Sequence, residues 1–130
     1  MREILFRGKR LDNGEWVEGW YQPETTIKHW NGSQETVGVT IAYKVEDGFL
    51  EDTLVDPATV GQYTGLKDKN GKRIFEGDIL ALRTGRPHVV MFEDGAFILE
   101  DTAIPMQFAN KFEDIGNIHD NPELLKGGEG

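Results

Sequence analysis

The chain has 130 residues, 38% of them hydrophobic and 28% charged, and a formal net charge of −9. That is enough to bury one ordinary core or two small β subdomains, and the balance is that of a folding chain rather than a disordered one. The lack of cysteine excludes disulfides, thiolate nucleophiles, iron–sulfur clusters and cysteine zinc sites, and the acidity disfavours general binding to polyanions or anionic membranes.

Hydrophobic periodicity of two runs through most of the chain and a helical stripe through almost none of it, so the expectation is a mainly β protein with little helix. The opening "MREILFRGKR" has an apolar run of only three residues, too short for a signal-peptide core. "EILFRGKRL" reads as a strand, "DNG" at Asp12–Gly14 as a tight turn, and "EWVEGWYQ" as the returning strand. In that return, Trp16, Glu18 and Trp20 point to one face and Val17, Gly19 and Tyr21 to the other. "NGS" at Asn31–Ser33 and "EDG" at Glu46–Gly48 mark two more turns, and "ETVGVTIAYKV" between them reads as one strand rich in β-branched residues. "VDPATVGQY" offers Asp56 as a cap and Pro57 at the first position of a single helical turn.

Beyond this point short strands recur at close spacing, "DILALRT", "PHVVMFE", "AFILEDT" and "FEDIGNI", with turns at Gly85–Pro87 and Glu93–Gly95. Such spacing suggests a small barrel or sandwich. "DNPELL" reads as a brief helix with Asn121 as its cap, and "KGGEG" as a flexible tail. The expected organisation is a β-rich N-terminal subdomain over 1–60, packed on a barrel subdomain over 61–125, with a tail over 126–130. No stretch approaches the roughly 18 apolar residues of a membrane-spanning helix, so the expected setting is cytoplasmic.

Charge is unevenly spread. Between Gly61 and Val90 six basic residues, Lys67, Lys69, Lys72, Arg73, Arg83 and Arg86, face three acidic ones, Asp68, Glu76 and Asp78, a local charge of +3 that leaves −12 for the remainder. At the centre of this island, "DKNG" at Asp68–Gly71 is a turn sequence, with Asn70 and Gly71 able to take positive φ in a type I′ turn or a bulged loop. Gly65, Gly71 and Gly77 stand six apart, which fits neither phosphate-binding glycine motif. "EGDIL" is a frequent lead-in to small SH3-like barrels, an association of fold without function.

Three stretches together, "MREILFRGK", "VGQYTGLKDKNGKRIFEGDIL" and "IGNIHDNPELL", resemble the signature blocks of the YopX family of phage and prophage proteins, in the same order and spacing from Met1 to about Leu125. The resemblance implies a β-rich protein with an SH3-like barrel in its C-terminal half, encoded by a phage or prophage in a bacterial host. It brings no catalytic residues, so no role carries over to any position of this chain.

The residues leave three function classes to weigh. His29, His88 and His119 stand far apart without metal-ligand spacing, the lone Ser33 lies in a turn outside any nucleophile motif, and no cofactor is implied. The first expectation is therefore a non-enzymatic accessory protein that self-associates and binds a host or phage protein, with Trp16, Trp20, Tyr21, Trp30 and Tyr43 as candidate interface aromatics. The second is a nucleic-acid module using Lys67, Lys69, Lys72, Arg73, Arg83 and Arg86 beside stacking aromatics. The third, an enzyme, would need a metal-dependent acidic site around Asp52, Asp56 and Asp78.

Overall fold

The computed structural model describes residues 4–126, the Thr25 side chain excepted. Met1–Glu3 of the opening stretch, and the expected tail beyond Lys126, lie outside the described residues. The chain is mainly β, with strands β1 (Phe6–Lys9), β2 (Trp16–Gln22), β3 (Thr25–Lys28), β4 (Gln34–Val37), β5 (Thr40–Lys44), β6 (Leu50–Leu54), β7 (Gly61–Lys67), β8 (Arg73–Phe75), β9 (Asp78–Ala81), β10 (His88–Glu93), β11 (Ala96–Leu99) and β12 (Glu113–Asn117). Its helical segments are short 3-10 turns. Two compact units divide it, Ile4–Gln62 and the chain from Tyr63 onward.

In the first unit the antiparallel order is β6-β5-β2-β1. The β1–β2 hairpin turns where "DNG" anticipates it, and its register sets Gly8 against Val17 and Phe6 against Gly19. Pleating then sorts the strands into two faces. One carries Val17, Ile41 and Val55, buried together with Phe6, Val39, Tyr43 and Val60 around them. The other carries Trp16, Trp20, Gln22, Thr40, Ala42, Asp52 and Leu54, as the pairings Trp20↔Ala42, Ala42↔Asp52 and Thr40↔Leu54 require. After β6 the chain curls back onto the end of β1: Arg10 bridges Val55, and Leu11 N–H donates to the Leu54 carbonyl at 3.0 Å. Asp56 then caps a 3-10 turn over Pro57–Thr59 by accepting from Ala58 N–H at 3.0 Å, as the Asp-Pro pair predicts.

"ETVGVTIAYKV" is not one strand. It breaks at Gly38–Val39 into β4, which pairs only with β3, and β5, which pairs with β2 and β6. Propensity favours strand throughout, but β3 supplies a nearby partner for the first half and the central sheet takes the second. The outcome is a two-stranded arm, β3–β4, whose tip spans His29–Ser33.

β7 begins in the first unit, where Gln62 and Gly61 pair with Phe6 and Arg7, and continues in the second, where Tyr63 and Lys67 pair with Phe75 and Arg73. The second unit holds a four-stranded antiparallel sheet, β11-β10-β9-β12, around Ile74, Leu80, Val90, Leu99, Ala109 and Phe112. The closed SH3-like barrel expected there is not formed among the described residues: β11 and β12 remain the two edges of that sheet. A bulge between Asp114 and Gly116 interrupts β12. The last segment, Pro122–Lys126, is a 3-10 turn, and the Asn121 side chain bonds back to Asn117 N–H at 3.2 Å.

Two glycines are fixed for different reasons. A Cβ on Gly19 would collide with the Ala42 carbonyl oxygen of the neighbouring strand, whereas Gly71 has open space but φ +84, a conformation costly to a β-branched residue. Gly19→Ala is expected to cost about 3 kcal/mol by overpacking and Gly71→Val about 1–2 kcal/mol by backbone strain. Urea unfolding of the two variants checks this order, and a Gly71→Val protein as stable as wild type would contradict the turn.

Candidate functional site

The five aromatic candidates separate once the faces are known. Trp16 is half-buried on the outer face of the sheet, with the Arg7 guanidinium 4.6 Å and the Lys9 ammonium 5.7 Å from its ring centre. Tyr43 belongs to the inner cluster, and its hydroxyl donates to Glu51 at 3.2 Å. These two are packing residues. Tyr21 rests on Phe6 with ring centres 5.0 Å apart yet stays partly exposed at the sheet margin. Trp20 is 45% exposed on the outer face, with the Lys44 ammonium 6.0 Å from its ring.

Trp30 stands apart from all of them, 97% exposed at the tip of the β3–β4 arm. The tip is shaped locally: His29 N–H donates to the Ser33 carbonyl at 2.9 Å, and Asn31 Oδ1 accepts from both Ser33 N–H and Ser33 Oγ. His29 Nε2 lies 3.2 Å from Glu35 across the arm. The turn is thus held by backbone and polar groups, and the indole makes no contribution to it. Below the tip, Ile27 is 44% exposed. Where the arm leaves the sheet there is a groove of about 460 Å³, walled by Tyr21, Pro23, Ile27 and Val37 and floored by Gln22, Thr40 and Asp52. The Thr40 hydroxyl is taken up by Gln22 Oε1 at 2.6 Å, while the Asp52 carboxylate has no hydrogen bond or ion pair among the described residues.

The basic island is differently used. Asp68 Oδ1 accepts from Asn70 N–H at 2.8 Å and Lys72 N–H at 2.9 Å, and Oδ2 accepts from Asp114 N–H at 2.9 Å. Gly71 N–H closes the turn onto the Asp68 carbonyl, so Gly71 alone takes positive φ and Asn70 does not, the bulged form of the loop. The carboxylate therefore ties the hairpin tip to β12, and Lys69 N–H adds a bond to the Phe112 carbonyl. In that position Lys69 lies 3.7 Å from Glu113 and Lys72 3.4 Å from Asp114. Arg73 lies over the Tyr63 ring at 5.6 Å. Arg83 and Arg86 lie in the β9–β10 loop, where Arg86 donates to the Asp101 carbonyl at 3.1 Å. Lys67 is exposed at the end of β7. Lys67, Lys69, Lys72 and Arg73 share the β7–β8 hairpin, with Lys67 paired to Arg73, whereas Arg83 and Arg86 lie in the separate β9–β10 loop.

The three acidic candidates are also dispersed. Asp56 caps its turn, Asp52 floors the groove, and Asp78 is buried in the second unit, accepting from Phe75 N–H at 2.8 Å. Among the described residues no three His, Asp or Glu side chains converge as metal ligands. His88 is spent on the Glu100 carbonyl at 2.9 Å. No helix among the described residues is long and apolar enough to cross a membrane.

The family model described as YopX protein matches residues 5–126. The chain belongs to the YopX family. No curated protein matches it, and among solved structures this YopX chain is similar to protein EF1440 from Enterococcus faecalis, at 28% identity over 96% of this chain and 99% of that one, with a TM-score of 0.55.

Sequence reasoning missed one feature of the YopX chain, the meeting of Asp68, Asp78 and Asp114. The three lie in separate stretches, and only pairing of β12 with β9 and the hairpin tip unites two of them with the third. Burial pushes Asp68 up, but the N–H groups of Asp114, Lys72 and Asn70 together with the Lys72 charge more than offset it and leave it below the usual carboxylate range. Asp114 goes the other way: burial, a hydrogen bond to Asp78 and repulsion by that carboxylate raise it to about 8. Lys72 opposes this from 3.4 Å, but its ammonium is mostly in solvent while the Asp114 side chain is wholly buried, so desolvation wins.

Burial beside Asp78 thus favours the protonated form of Asp114 in the folded protein at neutral pH. Below pH about 3.8 folded and unfolded chains both hold this proton; between about 3.8 and 8 only the folded chain does, so stability falls as pH rises through that window. The expected slope approaches about 1.4 kcal/mol per pH unit. Asp114→Asn, whose amide donates without titrating, should flatten it. Urea unfolding of both proteins across the window checks this, and equal slopes would refute a protonated Asp114.

Proposed function

We propose that the chain is a non-enzymatic protein-binding module of a phage or prophage, acting in the cytoplasm of the bacterial host, that self-associates through its first unit and engages a host or phage protein. The observation that carries this reading is Trp30, 97% exposed at the end of an arm whose two strands pair only with each other. A two-stranded ribbon is marginal by itself in water, and a tryptophan held away from its own protein is the residue type that most often anchors an interface. Phe49, at 70% exposure, and the exposed Leu50 and Leu54 extend apolar surface along the edge strand β6 of the same unit.

The non-enzymatic part is supported by how the polar groups are spent. Asp56, Asp68 and Asp78 accept backbone N–H groups, which is structural work, and Asp114 is locked against Asp78. Of the island's lysines, Lys69 pairs with Glu113, a contact that competes with phosphate binding there. The phage setting is what the resemblance of the three sequence blocks to the YopX family implies.

Light scattering after size-exclusion chromatography, with the ultraviolet absorbance ratio recorded, tests the reading. The expected outcome is a defined oligomer free of nucleic acid. A monomer from micromolar to near-millimolar concentration would end the self-association, and co-eluting nucleic acid whose retention falls steeply with salt would move the function to phosphate binding.

A further inference from the structure

The open groove and the exposed indole lie on the same unit, one at the base and one at the tip of the same arm. We propose that two copies of the chain pair through their arms about a two-fold axis, Trp30 of each copy filling the groove of the other. This rests on the self-association reading above and specifies its contact.

The groove suits an indole chemically. Its walls, Tyr21, Pro23, Ile27 and Val37, match an apolar ring, and at about 460 Å³ it is roomy enough for the bicyclic side chain. A buried indole N–H needs an acceptor, and with the Thr40 hydroxyl and Gln22 Oε1 already bonded to each other, the uncommitted Asp52 carboxylate is placed to receive it. The charges agree: Lys28, at the tip end of β3, would travel with Trp30 toward Asp52.

The geometry is self-complementary. Trp30 lies in the turn just past the end of β3, so it stands beyond Ile27 at the tip of the arm. When two arms lie antiparallel, the tip of each reaches the base of the other, where Val37 and Tyr21 line the groove. The same patch then serves both copies, and the assembly closes as a dimer without growing into a chain. Pairing through β6 is the competing route for two copies. Centred on Asp52, it would set that carboxylate directly against its own symmetry mate, a destabilising cross-strand arrangement.

Two variants and their mixture test the contact. Trp30→Ala removes the anchor and keeps the groove; Ile27→Lys keeps the anchor and fills the groove with a cation that repels Lys28. Both sites are surface-exposed, and circular dichroism and unfolding midpoints establish that each variant folds. By light scattering the wild type is expected to be a dimer and each variant alone a monomer, with affinity weakened at least 100-fold. An equimolar mixture should recover a heterodimer, since one complete tryptophan–groove contact is then available. Both variants remaining dimeric would overturn this contact and leave self-association standing, while a monomeric wild type would remove both. A dimer lost in Trp30→Ala but kept in Ile27→Lys, or no heterodimer on mixing, would overturn the groove as the docking place of Trp30. Trp30-dependent capture of a foreign protein by a monomeric wild type would replace the second copy as occupant.

Discussion

The carboxylate of Asp68 decides how the second unit can be used. One oxygen accepts two N–H groups inside the hairpin tip and the other accepts Asp114 N–H on β12, 46 residues along the chain. A single buried anion thus converts a loop of lysines and glycine into a clamped corner. Charge-assisted bonds of this kind are among the stronger ones in proteins, and removing the acceptor would leave three N–H groups to find other partners. Because the tip is held there, Lys69 meets Glu113 and Lys72 lies beside the buried Asp114.

The first unit spends its aromatic residues differently. Its sheet has a conventional inner face around Ile41 and Val55, but the outer face carries two tryptophans with cations near both. Cations against aromatic rings screen a face that would otherwise be greasy, so Trp16 and Trp20 tolerate partial solvent contact. Trp30 has no such cover. The difference between the three tryptophans separates a decorated sheet face from a presented side chain.

Much of this was legible in the residues because it is local. The Asp12–Gly14 hairpin, the Asp56 cap and the shared face of Trp16 and Trp20 follow from turn chemistry and the period of two. What was not legible depends on partners distant in sequence. "ETVGVTIAYKV" is uniform in propensity, and only competition between β3 and β2 for its two halves shows where it must break. The island of Lys67 to Arg86 looks continuous in sequence, but the acids that two of its lysines meet, Glu113 and Asp114, come from the far end of the chain. Trp30 stood in the same list as Trp16 and Tyr43, because exposure at an arm tip is a property of topology.

A chain with net charge −9 faces a difficulty in meeting a copy of itself, since every approach brings like charges together. The edge of β6 is poorly suited to this, with Glu51 and Asp52 adjacent and Glu46 and Asp47 just before them. The arm is better suited. Its tip holds Lys28 and an indole, its Glu35 is beside His29, and the acid it would meet in the groove, Asp52, has no hydrogen bond or ion pair among the described residues. Acidic residues along β6 repel a second copy approaching that edge, and on our proposal the arm is the route the charge distribution leaves open. On our proposal the same acidic residues that disfavour strand-on-strand pairing direct association to the arm, where apolar surface, a donor and an acceptor lie together.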